Sequence, residues 1–394
     1  MLGEINYKIG SANANAKKAI VFASSHYNSQ VKVGSHHYAD ALSYLGYEVL
    51  YISFPVNIFH YIAAIFSRRQ RERVCSRKGV INNVQFYIPF SLIPVNGPFP
   101  FNTRLFCRNW VIFSGIKRRV NAFQGAQRCD LVWSESAFFV KLIKNLIETK
   151  KPRKCLFRLS DNVVRFKNFP NSYKYILNEN FSLADTIVIS AASLKEVINK
   201  DYLSKICHWP NGINLGKISV YSREQPDEYV GNLRRKILYI GAIEYWFDWG
   251  IVDTISSCID DCDTFLIGPY ENGIIPNWVK LRKNVHLLGS RPHDQIGKYI
   301  SNSDVGIIPF KRDDMIDYVD PIKYYEYSYF GLPTVCSYWK EVACIQSVIY
   351  LAKTPAEFAQ KIKEILNTIP NNRLKDFGIN FNRRNWISNI GEII

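Results

Sequence analysis

The sequence is poor in the features that mark several large protein classes. No window of the 394 residues approaches the roughly 18 uninterrupted apolar residues of a membrane-spanning helix, so no span is expected. The first residues, "MLGEINYKIGSANANAKKAIVFASS", hold no apolar core of signal-peptide length before the first strand-like run. There is no low-complexity tract and no repeat at a solenoid or propeller period. The nine cysteines (75, 107, 129, 155, 207, 258, 262, 336 and 344) are odd in number and scattered, several inside strand-like runs such as "KCLFRL" and "PTVCS". They read as reduced core thiols of a cytosolic chain, and not as a disulfide framework. Cys258 and Cys262 have no second pair and no histidine cluster beside them, so no zinc site is expected. No Asp-x-Asp lies in a suitable loop: Asp261-Cys262-Asp263 opens an apolar run, and no bound metal or cofactor is expected.

Acidic residues are scarce in one half only. Residues 1–210 hold 29 Lys and Arg against 12 Asp and Glu, whereas residues 211–394 hold 21 against 22. A chain with one strongly basic half and one neutral half turns one domain toward an anionic surface or ligand. Its length suits two domains better than one core.

What is present is a double alternation of short apolar runs and helical patterns. Strands are predicted at 19–24, 48–53, 84–89, 130–133, 155–160 and 185–190, then at 237–241, 263–268, 284–289, 304–309, 333–337 and 348–352. Between them, "HHYADALSYLGY", "AFFVKLIKNLIETK" and "PAEFAQKIKEILNTI" carry apolar residues at helical spacing. Short continuous apolar strands fit parallel sheets buried on both faces. The expected fold class is therefore α/β, with two Rossmann-like doubly wound domains facing across a cleft. The expected divisions are an N-terminal domain at 1–210, a linker at 211–235, a C-terminal domain at 236–379 and a tail at 380–394 packing back on the first domain.

The segment "DPIKYYEYSYFGLPTV" follows the fourth strand of the second set. Asp320 is an apt N-cap, and Pro321 at the first helical position loses no hydrogen bond. Lys323 then lies in the first turn, where free N–H groups and the helix dipole already favour an anion. Glu326 stands one turn on along the same face. A diphosphate joined to a ribose fits, with Lys323 at the phosphates and Glu326 accepting from ribose hydroxyls. An i,i+3 ion pair on a solvated face is the plain alternative.

"ILYIGAIEYWFDWG", "NVHLLGSRPHDQIGKYISNSDVGIIPF" and "DPIKYYEYSYFGLPTV", in this order, resemble the donor domain of GT-B glycosyltransferases. The resemblance implies that Lys323 and Glu326 hold the nucleotide diphosphate and ribose, and that the Gly241-Ala242-Ile243 turn approaches the donor. It also implies that Gly289, Ser290 and Arg291 hold the base through backbone groups, with Phe310 and Ile322 in the same donor set. "FASSHYNSQVKVGSHHYADAL", "PFNTR", "SESAFF", "FRLSDN" and "WPNGIN" resemble the acceptor domain of glycosyltransferase family 70, that of the xanthan-assembly glucuronosyltransferase. That family is inverting, membrane-associated and UDP-sugar dependent. Its catalytic aspartate matches Asp161. Many retaining GT-B enzymes carry a glutamate eight residues before the equivalent of Glu326; here that residue is Tyr318.

Inverting transfer needs a base on the face opposite the leaving UDP, hence from the first domain. Asp161 follows the strand "CLFRLS" at the carboxyl edge of its sheet, although Ser-Asp-Asn also makes an ordinary turn. Glu135 in "WSESAFF" is the second candidate. His26, His36 and His37 follow the first strand; His26 or His37 could touch the acceptor, or all three simply pack. Arg158 and Arg165 are weak candidates for a donor-sugar carboxylate.

"FPVNIFHYIAAIFSRRQRERVCSRKG" sets an apolar patch directly before Arg68, Arg69, Arg71 and Arg73, and "WVIFSGIKRRV" repeats the pattern. Both suit an anionic membrane interface, or else core helices with solvated ends. The expected function is transfer of a sugar, glucuronic acid by the resemblance, from UDP to a lipid-diphosphate-linked saccharide at the cytosolic membrane face, without nucleic acid. A retaining hexosyltransferase, a silent nucleotide-sugar binder and a nucleic-acid-binding protein are the rival readings.

Overall fold

The computed structural model describes residues 16–29, 32–66, 71, 74, 76–91, 110–125, 128–162, 173–213, 224–270, 272–343, 349–368, 390 and 394. The strands of the first half are β1 (Lys18–Phe22), β2 (Glu48–Ile52), β3 (Val56–Asn57), β4 (Lys78–Ile81), β5 (Val84–Tyr87), β6 (Phe90–Ser91), β7 (Leu131–Ser134), β8 (Lys154–Leu159), β9 (Thr186–Ile189) and β10 (Ile206–His208). Those of the second are β11 (Arg235–Ile240), β12 (Cys262–Ile267), β13 (Val285–Gly289), β14 (Val305–Ile308), β15 (Thr334–Ser337) and β16 (Ile349–Ala352). The helices are α1 (Gly34–Tyr44), α2 (Ile58–Phe66), α3 (Trp110–Gln124), α4 (Val140–Lys150), α5 (Tyr173–Leu183), α6 (Trp249–Cys258), α7 (Ile296–Ser301), α8 (Ile322–Tyr329), α9 (Lys340–Ala343) and α10 (Pro355–Thr368).

Apolar runs without alternation can be satisfied only where both faces of a sheet are covered. Ala19, Ile20, Val21 and Phe22 on β1 are accordingly all fully buried, alternating between two core clusters on opposite faces of the first sheet. That sheet runs β10-β9-β8-β7-β1-β2-β5-β4 and is parallel except for β4, which returns antiparallel to β5 and closes one edge. The second runs β13-β12-β11-β14-β15-β16, parallel throughout. In each, the chain builds outward on one side of its first strand and then restarts on the other. The order reverses between β1 and β7, and between β11 and β14, and a crevice opens beyond the carboxyl ends at those two points.

Several contacts tie the domains together. The Glu341 carboxylate, on α9, accepts from the backbone N–H groups of Ala192 (2.8 Å) and Ser193 (3.1 Å), and the Ser193 hydroxyl donates to the carbonyl of Asp317 (2.8 Å). Ile213 and Tyr229, both within the segment expected as a linker, are buried in the second domain's core, so part of that segment is structural. Ile390, in the tail, is fully buried in a core cluster of the first domain.

Ile390→Ala should therefore cost about 2–5 kcal/mol, as buried large-to-small changes do. The urea midpoint is expected to fall without a change in m; an unmoved midpoint would mean that the tail adds nothing to the core.

Candidate active site

β11 is followed by Gly241, whose φ of +149° lies outside the range side-chain-bearing residues prefer. The reason is crowding from both sides. A β-carbon at Gly241 would overlap Cε and Nζ of Lys323, and one at Gly268, after β12, would overlap the carbonyl of Gly241. The two glycines let the turn press directly on the lysine. The Lys323 ammonium lies over the rings of Tyr239 (5.7 Å) and Phe310 (5.6 Å), and Phe310 stacks on Trp339. Burial pulls the ammonium pKa down, and the Glu326 carboxylate opposes that pull. A cation held partly desolvated against aromatic faces at a helix start is set to receive an anion.

The helix beneath it is capped differently from expectation. α8 begins at Ile322 with Pro321 at the N-cap position and no side-chain cap. Asp320 does not cap the helix; its carboxylate accepts from the Tyr325 hydroxyl (2.8 Å) and the Asn211 N–H (2.6 Å), which draw it back toward the domain junction. Ile322 packs, partly buried, against the first domain's core. Glu326 is buried and shares a hydrogen bond with Nε2 of His293 (3.3 Å). Across the junction, the His37 ring on α1 lies 6.0 Å from the His293 ring. Residue 293 was not singled out from sequence: only the tertiary pairing brings it to Glu326.

Ile243 is buried after the Gly241 turn. Gly289 closes β13 at φ +69° and its carbonyl accepts from the Gly268 N–H (2.9 Å), so the turn after β12, which the sequence did not single out, joins the two turns expected at the donor. Ser290 is exposed. The Arg291 guanidinium is engaged by Glu228 (2.6 Å) and by the Tyr299 hydroxyl (3.1 Å), which leaves its backbone as the part that can meet a ligand.

On the facing side, Asp161 follows β8, half-buried. Burial pushes its carboxyl pKa up, while Arg158 and the Ser160 hydroxyl restrain the rise. Its charge reaches across the domains: burial, Asp313, Glu244 and Asp161 together raise the pKa of Tyr245, on the loop after β11. Glu135 is more committed. It accepts from the Trp133 indole (3.1 Å) and Arg158 Nη1 (3.2 Å), and burial is the largest influence raising its pKa. Arg158, a weak candidate for a donor carboxylate, is 2% exposed and also donates to the Asn211 side chain (2.6 Å). Arg165 lies outside the described residues.

His26 is buried, with Nε2 on the Phe54 carbonyl (2.9 Å), as a packed histidine would be. Asp263 starts β12, at the sheet edge away from the cleft, and holds Arg234 (2.6 Å) and Asn232 (2.7 Å). Among the described residues, no three His, Cys, Asp or Glu are grouped to hold a metal.

The two apolar-basic segments part company. α3 buries Ile116, Val120 and Phe123 in the core, with Lys117 and Arg118 outside. α2 instead exposes Ile58, Phe59, Ile62, Ile65 and Phe66, the last 85% exposed. Arg71 is exposed and donates to the Ala64 carbonyl (3.2 Å); Arg68, Arg69 and Arg73 lie outside the described residues. Among the described residues, no helix is long and apolar enough to cross a membrane.

The model of the N-terminal domain of glucuronosyltransferase GumK matches residues 21–190. Sucrose-phosphate synthase from Thermosynechococcus elongatus superposes with a TM-score of 0.66 over 96% of this chain and 97% of its own, at 14% identity. HepE of Anabaena, solved with UDP and glucose, gives 0.63 over 95% and 97%, at 13% identity. The lipopolysaccharide outer core galactosyltransferase WaaB gives 0.58 over 95% and 98%, at 10%. Residues 21–190 are similar to the GumK N-terminal domain, and the chain has the GT-B glycosyltransferase fold. No curated protein sequence matches it. Lys323 and Glu326 lie on α8, in the second domain, and Asp161 follows β8 at the carboxyl end of its strand in the first sheet.

Lys323→Ala should remove a charge-assisted contact worth about 1.5–3 kcal/mol, so UDP affinity measured by calorimetry should fall on the order of tenfold to a hundredfold. Unchanged affinity would place the nucleotide elsewhere.

Proposed function

We propose that the protein is an inverting, metal-independent glycosyltransferase that moves a sugar, glucuronic acid in the reading its GumK-like domain supports, from UDP to a lipid-linked saccharide during envelope or exopolysaccharide assembly. What supports this reading is the Lys323 cradle of the second domain together with Asp161, at the carboxyl end of β8, whose charge acts on Tyr245 of that same second domain. The UDP complexes of HepE, a GT-B relative in fold, support the choice of nucleotide.

In this reaction the Asp161 carboxylate takes the proton of the acceptor hydroxyl as its oxygen bonds to the anomeric carbon. The bond from that carbon to the diphosphate oxygen breaks on the opposite face, and UDP leaves with the electron pair. Lys323 and the N-terminal N–H groups of α8 balance the charge that develops on the diphosphate. Glu326 exchanges His293 for the ribose hydroxyls. A base whose pKa is raised holds a proton more readily, which suits it to accept one near neutrality.

The acceptor's lipid implies a membrane surface. α2 supplies an apolar face for the interface, and the adjoining Arg68, Arg69, Arg71 and Arg73 supply cations for anionic headgroups. In this reading the enzyme is held peripherally on the cytosolic face of the plasma membrane.

Asp161→Asn should abolish transfer while UDP affinity stays near wild type. In the wild type, the acidic limb of kcat/KM should lie above the usual aspartate range, because the base must be deprotonated and its pKa is raised. Product analysis should show inversion at the anomeric carbon; retention would remove the one-step mechanism, and turnover with UDP-glucose but not UDP-glucuronate would remove the uronic acid. For the surface, Phe59→Ser with Phe66→Ser should release the protein from vesicles of anionic phospholipid. Equal co-sedimentation of variant and wild type would count against α2 as the anchor.

A further inference from the structure

One buried chain of hydrogen-bonded polar groups runs from Glu135, the second candidate base, to the candidate donor helix, across the domain boundary. Its centre is Arg158 on β8, whose guanidinium donates to Glu135 (3.2 Å) and to the Asn211 side-chain oxygen (2.6 Å) and lies 4.8 Å from the centre of the Tyr38 ring. Gly34, at the start of α1, leaves room for it: a β-carbon there would stand 2.8 Å from Nη1. Asn211 continues the chain into the second domain. Its backbone N–H donates to the Asp320 carboxylate (2.6 Å) and its side-chain NH₂ to the Asp320 carbonyl (2.7 Å). Asp320 in turn is fixed by Tyr325 of α8, the helix that carries Lys323 and Glu326.

Burying a guanidinium is expensive, and apolar residues of the same volume commonly stabilise a core as well or better. An arginine spent this way at a domain junction fixes geometry. Each member from Glu135 to Asp320 is hydrogen-bonded to the next, Arg158 through Nη1 and Nη2 while its Nε has no partner among the described residues. A shift of α8 is thereby transmitted to the guanidinium that favours the charged form of Asp161.

We propose that Arg158 and Asn211 are positioning residues that lock the donor helix and the proton acceptor into one array, and that Glu135 is the counter-ion of Arg158 and not a base. This deepens the proposed glycosyl transfer and rests on it. The donor side is registered through Asn211 to Asp320, and the acceptor side through Arg158 to Asp161. The groups facing Asp161 are Arg158 and Ser160 of its own strand end, Glu135 beyond β7 and Tyr245 from the other domain.

The test uses the full chain, UDP calorimetry and steady-state transfer. Asn211→Ala removes both side-chain links but keeps the backbone bond to Asp320. It should lower kcat by about a hundredfold, the scale of a misplacement of about 1 Å, and weaken UDP by a smaller factor. Arg158→Gln should move the acidic limb of kcat/KM to higher pH, because the cation that holds the Asp161 pKa down is gone. A residue that merely stabilises the fold would move Tm and leave that limb in place. The two substitutions combined should be far from additive, since each breaks the same chain. Glu135→Gln should retain much of the rate, whereas loss as complete as that of Asp161→Asn would restore Glu135 as a base and overturn the assignment. Should Arg158→Gln fail to fold, Asp320→Asn substitutes for it at the other end and should reproduce the kcat loss of Asn211→Ala. Unchanged kcat and UDP affinity in a folded Asn211→Ala would sink the proposal while leaving a Lys323-dependent UDP site intact. Absence of UDP binding in the wild type would instead remove the function on which it rests.

Discussion

An ammonium group enclosed by two aromatic rings and a glycine turn gives up most of the hydration that stabilises it. Lys323 is in that condition, and burial draws its pKa down. The surrounding architecture follows from the need to hold it so. Gly241 and Gly268 allow the backbone to close on it, Tyr239 and Phe310 supply faces of negative electrostatic potential, and the short helix α8 brings its own positive end to the same place. A polyanion entering the cleft would restore what the lysine lost on folding. The doubly wound sheet makes this possible because its strand order reverses beside β11, where no crossing helix can cover the strand ends.

Much of this was legible in the sequence where the signal is local. Every strand read from an apolar run is present, with ends displaced by no more than a few residues: the run at 155–160 is β8 at Lys154–Leu159, and the run at 284–289 is β13 at Val285–Gly289. The strands that went unread, β3, β4, β6 and β10, are short or exposed: β3 and β6 are two-residue strands. β4 is mostly exposed and follows an arginine-rich stretch, and β10 is a three-residue edge strand that adds only partly buried or exposed side chains. The Lys323–Glu326 spacing was readable because one helical turn sets it.

The rest depends on pairings that spacing cannot encode. Asp320 carries the sequence signature of a cap, yet Asn211, 109 residues away, and Tyr325 claim its carboxylate. Local propensity lost there to a tertiary hydrogen bond. Arg158 and Glu135 are 23 residues apart on neighbouring strand ends, and nothing in either segment announces the other. His293 sits in a motif noted for its backbone, and its side chain matters only once Glu326 arrives beside it. The apolar-basic pattern shared by 54–79 and 110–120 was likewise ambiguous: a core stands ready to receive Ile116 and Val120, whereas only Ala64 of α2 is buried.

The grip of Glu341 on two amides of the opposite domain bears on traffic through the cleft. Each time the lobes part, a carboxylate and two peptide groups must trade one another for water, and each time they close that exchange runs in reverse. The exchange is nearly balanced, so the clasp works as a latch of modest strength. Any parting of the two domains would have to break it first.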